Sequence, residues 1–179
     1  KIIGAFWLPK SGCQAFASMD SIGAILAAPA LIAFWAWQAK RGSEPSSVTK
    51  VGIGTCIIAI GALLFAYGNL GLSEPDSVGA GWAIAGWLIM GLAWMYYWPT
   101  TLAIVSRAAP PGMGSFLMGV AFLSPFVAHV LAGWVGSYFD QMTPSVFWAM
   151  DAGIAIVGGM VILLFRKRLQ TALEPDVAA

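Results

Sequence analysis

The sequence predicts an all-α, polytopic membrane bundle with five transmembrane helices, and three features carry that expectation. Hydrophobic residues make up 59% of the 179 residues and charged ones only 9%, against roughly a quarter charged in ordinary soluble domains. Five apolar stretches each reach the roughly 20 residues that a helix needs to cross a hydrocarbon core of about 30 Å. Within them, runs such as Cys56-Ile57-Ile58-Ala59-Ile60 do not alternate apolar with polar, as the strands of a membrane β-barrel would.

The spans are expected at residues 17–39, 51–72, 78–106, 113–138 and 144–165, about two-thirds of the chain. This gives a stub at 1–16, a five-helix unit over 17–168 and a tail at 169–179, polar and interrupted by Pro175, which is expected to fray. The first span runs from Ala17 to Ala39 and ends in Lys40 and Arg41. The second follows a Gly42 to Ser47 linker, with Lys50 just before it. The third ends at Ser106 and Arg107, the fourth opens after Pro110-Pro111-Gly112, and the fifth starts at Pro144, a residue suited to a helix's first turn. The chain opens at Lys1 on an apolar run, Ile2 to Leu8, too short for a signal-peptide core or a span. It reads as the cut end of something longer.

Loop charge gives direction, because Lys and Arg are retained on the cytoplasmic side. Lys40, Arg41, Lys50, Arg107, Arg166, Lys167 and Arg168 fall on one side; Glu74, Asp76 and Asp140 occupy the alternate loops. Lys1 and Lys10 are the exceptions. The start is therefore expected outside and the C-terminus in the cytoplasm, in the plasma membrane. Trp35 and Trp37 suit an inner aromatic belt; Tyr67, Trp82, Trp134, Tyr138 and Trp148 suit an outer one.

Several function classes drop out. A net charge of +1 leaves no basic field for nucleic acid. Two cysteines, Cys13 and Cys56, and a single histidine are too few for a disulfide framework or a His/Cys metal site. No HExxH, GxSxG or other catalytic spacing occurs, so neither an enzyme nor a cofactor is expected.

Polar and small residues inside the spans need a reason. Asp20, Asp151 and His129 are ionisable, and an acid at the bilayer centre costs ~2.5–3.5 kcal/mol on insertion scales. Asp20 reads either as an acid at a helix start, favoured there by the helix dipole, or as a cavity-lining group. Asp151 has the same two readings, and His129 reads as a neutral imidazole bonded across helices. Small stripes at Asp20/Ala24/Ala28, Ser124/Ala128/Ala132/Gly136 and Asp151/Ala155/Gly159 predict close packing within the chain. Trp94-Met-Tyr-Tyr-Trp98-Pro99 places five large residues in succession past the midpoint of the third span, so some must face the bundle. Pro29, Pro99 and Pro125 favour bends at mid-depth, an arrangement that suits alternating access.

The loops then carry a resemblance. Glu44-Pro-Ser-Ser-Val-Thr-Lys50-Val-Gly-Ile-Gly54 resembles the PSTPTKFALG segment of the proton-dependent oligopeptide transporters, a family of the major facilitator superfamily. Ile104-Val-Ser-Arg-Ala-Ala-Pro110, Phe116 to Ser124 and Leu131-Ala-Gly133 resemble that family's LVTKLAP, MMGLWFLS and YLAG. Phe16 to Trp35 lies without gaps on its FQSLNPLFIILLAPLFAWLW. The resemblance implies helices eight to twelve of a twelve-helix, proton-coupled transporter of di- or tripeptides or related solutes, with protons, the bilayer and a missing N-terminal half as partners.

It also implies a substrate-binding set of Asp20, Trp94, Trp98, Phe122 and Ser124 along one side of a central cavity. Three positions depart from the family pattern. Trp94 stands where the family carries a Glu that holds the peptide's amino group, Asp20 replaces the Asn of SLNP, and Ala121 replaces the Trp of GLWFLS. An indole can hold an ammonium by cation–π attraction, and Asp20 would supply a charge nearby. The alternative from another class is a five-span membrane scaffold or assembly subunit without transport.

Overall fold

The computed structural model describes residues 19–70 and 79–173, with Asp20 described by its backbone only. The stub at 1–16, Glu74 and Asp76 of the second loop, and the last six residues lie outside the described residues. The elements are α1 (Met19–Lys40), α2 (Ser47–Gly68), α3 (Ala80–Ala108), α4 (Gly114–Gly136) and α5 (Pro144–Leu173), with a 3-10 turn at Phe139–Gln141 before α5. All five described helices are long and apolar enough to cross a membrane, so the architecture is the all-helical bundle that the hydropathy predicts.

The boundaries shift where hydrogen bonds, not apolarity, decide them. α2 begins four residues before the apolar run because the Ser46 hydroxyl accepts the Thr49 amide at 3.3 Å, satisfying one of the orphan donors of a helix start. α1 ends in a Schellman arrangement: the Ser43 amide donates to the Gln38 carbonyl at 3.1 Å and the Gly42 amide to that of Ala39 at 3.0 Å. Gly42 takes φ of +64° there, which glycine adopts without a Cβ clash. α5 runs on to Leu173, past the position expected to fray, because Leu169 and Leu173 continue its apolar stripe beyond the basic triplet.

α2 is the centre of the bundle, packed on α3 and α5, while α1 packs on α3. The core is built largely from small residues: Ala59, Ala62, Ala83, Ala93 and Ala152 are buried, which lets backbones approach closely. A Cβ on Gly159 would stand 2.9 Å from Cys56 Sγ, and one on Gly54 2.7 Å from Tyr97 Cβ. An aromatic hub closes the half of the bundle away from Lys50, Phe65 lying 4.7 Å from Trp148 and 5.9 Å from Trp87 between ring centroids. Trp148 therefore turns inward instead of joining the outer belt, whereas Tyr67 and Trp82 pair at the surface.

The small stripes divide. The α5 stripe packs within the chain, Gly159 lying against Cys56 of α2; on α1 the close approach is made by Gly23, beside the stripe, against Leu88, while Ala24 and Ala28 are half-buried. The α4 stripe does not pack within the chain. Ser124, Ala128, Ala132 and Gly136 are all exposed and α4 has no buried residue. α4 meets the bundle through α3, with Phe122 against Trp98 and with Leu117, Met118, Ala121 and Pro125 of its first half only partly exposed. Pro29, Pro99 and Pro125 all lie inside continuous helices.

Candidate functional site

The aromatic run of α3 divides between two faces. Tyr96 turns into the bundle, 7% exposed, and meets the Trp35 ring edge-on at 5.3 Å. Trp94 and Trp98, one turn apart, stack at 5.3 Å with their planes 23° apart. Tyr97 packs edge-on to both indoles, and Phe122 of α4 meets Trp98 edge-on at 5.6 Å. The result is a four-ring cluster bridging α3 and α4, with Trp94 44% and Phe122 53% exposed.

Local chemistry fixes the cluster. Pro99 has no amide hydrogen, so the turn before it lacks one helical bond. The Thr100 and Thr101 hydroxyls donate to the carbonyls of Tyr96 and Tyr97 at 3.0 and 2.8 Å, adding bonds in that turn. Gly54 supports Tyr97 from behind, since only a residue without Cβ admits that ring's base so close to α2.

Of the residues expected to line a site, Trp94, Trp98 and Phe122 come together. Ser124 is exposed, two positions beyond Phe122 and so about 200° round the helix. Asp20 lies in the first turn of α1, and its side chain is outside what is described. His129 differs from expectation: its Nδ1–H donates to the Pro125 carbonyl of its own helix at 2.6 Å instead of reaching across helices. Asp151 is half-buried on α5, beside the α2 interface. Among the described residues no three His, Cys, Asp or Glu side chains gather as a metal site requires.

A second, polar cluster joins the end of α1 to the start of α2, where the sequence reading has Lys50 as a loop charge and as part of the Glu44 to Gly54 segment. Lys50, 8% exposed, pairs with Glu44 and lies 4.4 Å from the Trp35 ring centroid. Arg41 covers Trp37 at 4.0 Å. Trp35 Nε1 and Gln38 Oε1 are buried without a partner among the described residues. The signal for the ion pair was present in the sequence: Glu44 and Lys50 flank the Ser46 cap, so the turn that starts α2 brings them face to face.

Comparison with known proteins places the chain. It is 29% identical over 157 residues to the peptide transporter YePEPT of Yersinia enterocolitica subsp. palearctica, covering 83% of this chain and 30% of the relative. It is 23% identical over 172 residues to the uncharacterized transporter YclF of Bacillus subtilis, covering 96% and 34%. A di-/tripeptide transporter of Lactococcus lactis subsp. lactis is 22% identical over 143 residues, covering 80% and 28%. The crystal structure of a POT family transporter in complex with a thioalcohol-conjugated peptide superposes with a TM-score of 0.75 at 22% identity, over 85% of this chain and 31% of that one. The chain thus spans about a third of the length of these relatives, which are transporters and not enzymes. With residues 1–152 matched by the model of the POT family, the chain belongs to that family.

Proposed function

We propose that this chain forms part of a proton-coupled peptide transporter, with Asp20, Trp94, Trp98, Phe122 and Ser124 along one side of the substrate cavity. It sits in the plasma membrane with its C-terminus in the cytoplasm, and the remaining helices of the transporter complete the cavity. The observation that carries the reading is the family match over residues 1–152 together with the partly exposed Trp94–Trp98–Phe122 cluster. Large rings left uncovered at mid-membrane on two adjoining helices suit a wall that a solute touches. The aromatic faces would hold an ammonium by cation–π attraction. Asp20 would add the one carboxylate at the outer end of α1.

The test is uptake of a small panel of peptides, with free and with blocked amino termini, by the intact transporter that contains this chain under an imposed proton gradient. Accumulation should collapse on adding an uncoupler. Asp20→Asn should insert normally but alter the pH dependence or the substrate preference. Trp94→Glu should shift preference toward peptides with a free amino group. Uptake profiles unchanged by both substitutions, in protein that inserts normally, would remove the site assignment; accumulation indifferent to the uncoupler would remove proton coupling.

A further inference from the structure

The aromatic wall has a back as well as a face. Tyr96 stands two residues from both Trp94 and Trp98, about 200° round α3 from each, so whatever holds Tyr96 sets the angle at which the helix presents the two indoles. The turn that carries them lacks one helical bond, because Pro99 offers no amide to the Met95 carbonyl. Side-chain contacts therefore weigh more in its orientation. Gly54 of α2 receives the base of Tyr97, and Trp35 of α1 meets the buried Tyr96 ring at 5.3 Å with the planes 73° apart.

Trp35 is itself held from the corner between α1 and α2. Its Nε1 is buried without a hydrogen-bond partner among the described residues, so no polar contact pins the indole there. Contacts on the ring fix it instead: Tyr96 edge-on, and the Lys50 ammonium 4.4 Å from the ring centroid. An indole is the best of the aromatic rings for holding a cation. Lys50 is in turn aimed by Glu44, which the Gly42 turn and the Ser46 cap bring to it. A continuous line of contacts thus runs from Glu44 through Lys50, Trp35 and Tyr96 to the α3 turn behind the wall.

We propose that Lys50 is a positioning residue for the candidate site: through Trp35 and Tyr96 it sets the angle of the α3 turn that carries Trp94 and Trp98. Glu44 acts on the lysine and not on the ring. The consequence for transport rests on the reading of that wall as part of the substrate cavity; the consequence for the geometry of the wall does not.

The test uses the intact transporter that contains this chain, labelled with 5-fluorotryptophan, the fluorine signals of Trp35, Trp94, Trp98 and Trp134 being assigned from single Trp→Phe variants. Lys50→Met, which keeps the stem and removes the charge, should move the signals of Trp35, Trp94 and Trp98 and leave that of Trp134, at the far end of α4, in place. Lys50→Arg, a cation that also stacks on aromatic faces, should restore them. Glu44→Gln leaves the ammonium over the ring and should move them far less. In uptake, Lys50→Met should raise KM for peptide roughly three- to ten-fold, with the maximal rate per inserted molecule little changed; a loss of folded protein alone would lower the rate and leave KM. Trp94 and Trp98 signals unmoved in folded Lys50→Met would overturn the proposal whatever the protein transports. Equal shifts in Lys50→Met and Glu44→Gln would also overturn it, by tracing the effect to the ion pair instead of the ring. Moved signals with KM unchanged would uphold the linkage and remove the wall from the substrate site, which is the failure of that separate reading. Should Lys50→Met not fold, Trp35→Leu keeps the ion pair and removes the ring; it should shift Trp94 and Trp98 and raise KM in the same way, and unmoved signals there overturn the proposal equally.

Discussion

At the scale of single residues, Lys50 shows how a charge earns a place at 8% exposure. Its ammonium meets Glu44 on one side and the Trp35 ring on another, so the ion loses little on leaving water, while its methylene stem adds apolar contact. A charge-assisted hydrogen bond is worth about 1.5–3 kcal/mol and a cation–π contact about 0.5–2. The Glu44 side chain is 39% exposed, and solvent screening trims the first figure. Lys50→Met, which keeps the stem and removes the charge, is therefore expected to cost about 1–2 kcal/mol. Glu44→Gln should cost less, and the double variant should fall short of the sum because the two changes remove one shared interaction. Thermal unfolding of the four proteins in detergent measures this. An unshifted midpoint in Lys50→Met would show that the pair is ornamental and that α1 is held by its packing on α3 alone.

At the scale of elements, close approach is concentrated on α2, and the glycines report where it is tolerated. A Cβ at position 54 would sit 2.7 Å from Tyr97 Cβ, an atom fixed to the α3 backbone, whereas one at Gly119 meets nothing within 4 Å. Gly54→Ala should thus overpack the α2–α3 seam and cost about 1–3 kcal/mol, loosening the ring cluster that Tyr97 anchors. Gly119→Ala should be neutral or stabilising by about 0.5–1 kcal/mol, the helix-propensity gain. Comparable unfolding temperatures for the two variants in detergent would contradict this division. The same division marks what the sequence could reveal. Small-residue periodicity identifies a face capable of close packing, and Gly159 of the α5 stripe finds a partner on α2, as Gly23 beside the α1 stripe does on α3. Periodicity does not say whether a partner stands opposite, so the identical rhythm of Ser124, Ala128, Ala132 and Gly136 misled. The aromatic site was half legible for a similar reason. Five large residues in succession guarantee that some face inward, but only packing against Gly54 and Trp35 decides that Tyr96 and Tyr97 turn in while Trp94 remains partly exposed.

At the scale of the whole molecule, the five helices differ in how much of each the chain itself covers. α2 is best enclosed and α4 least, with Phe116, Phe122, Phe126 and Trp134 more than half exposed on it. Apolarity gave the number of spans because each must match the same hydrocarbon thickness, a constraint independent of which helix touches which. Direction rests on a different quantity, the distribution of Lys and Arg. Seven of the nine basic residues lie in the last turns of α1, α3 and α5, just after α1 or in the first turn of α2, all at one end of the bundle, and the 3-10 turn at Phe139–Gln141 lies in a loop without Lys or Arg. Retention of positive charge acts on short loops near span ends, and every loop that joins described helices here is short. Ser43 and Gln141 are exposed at opposite ends of the bundle, so each reports one side without disturbing packing. In a background lacking other accessible cysteines, Ser43→Cys should react with a membrane-impermeant maleimide only after the cells are permeabilised, and Gln141→Cys should react in intact cells. The reversed pattern would place the Lys50–Glu44 cluster on the outer face. Loop charge would then have been outweighed by signals elsewhere in the protein.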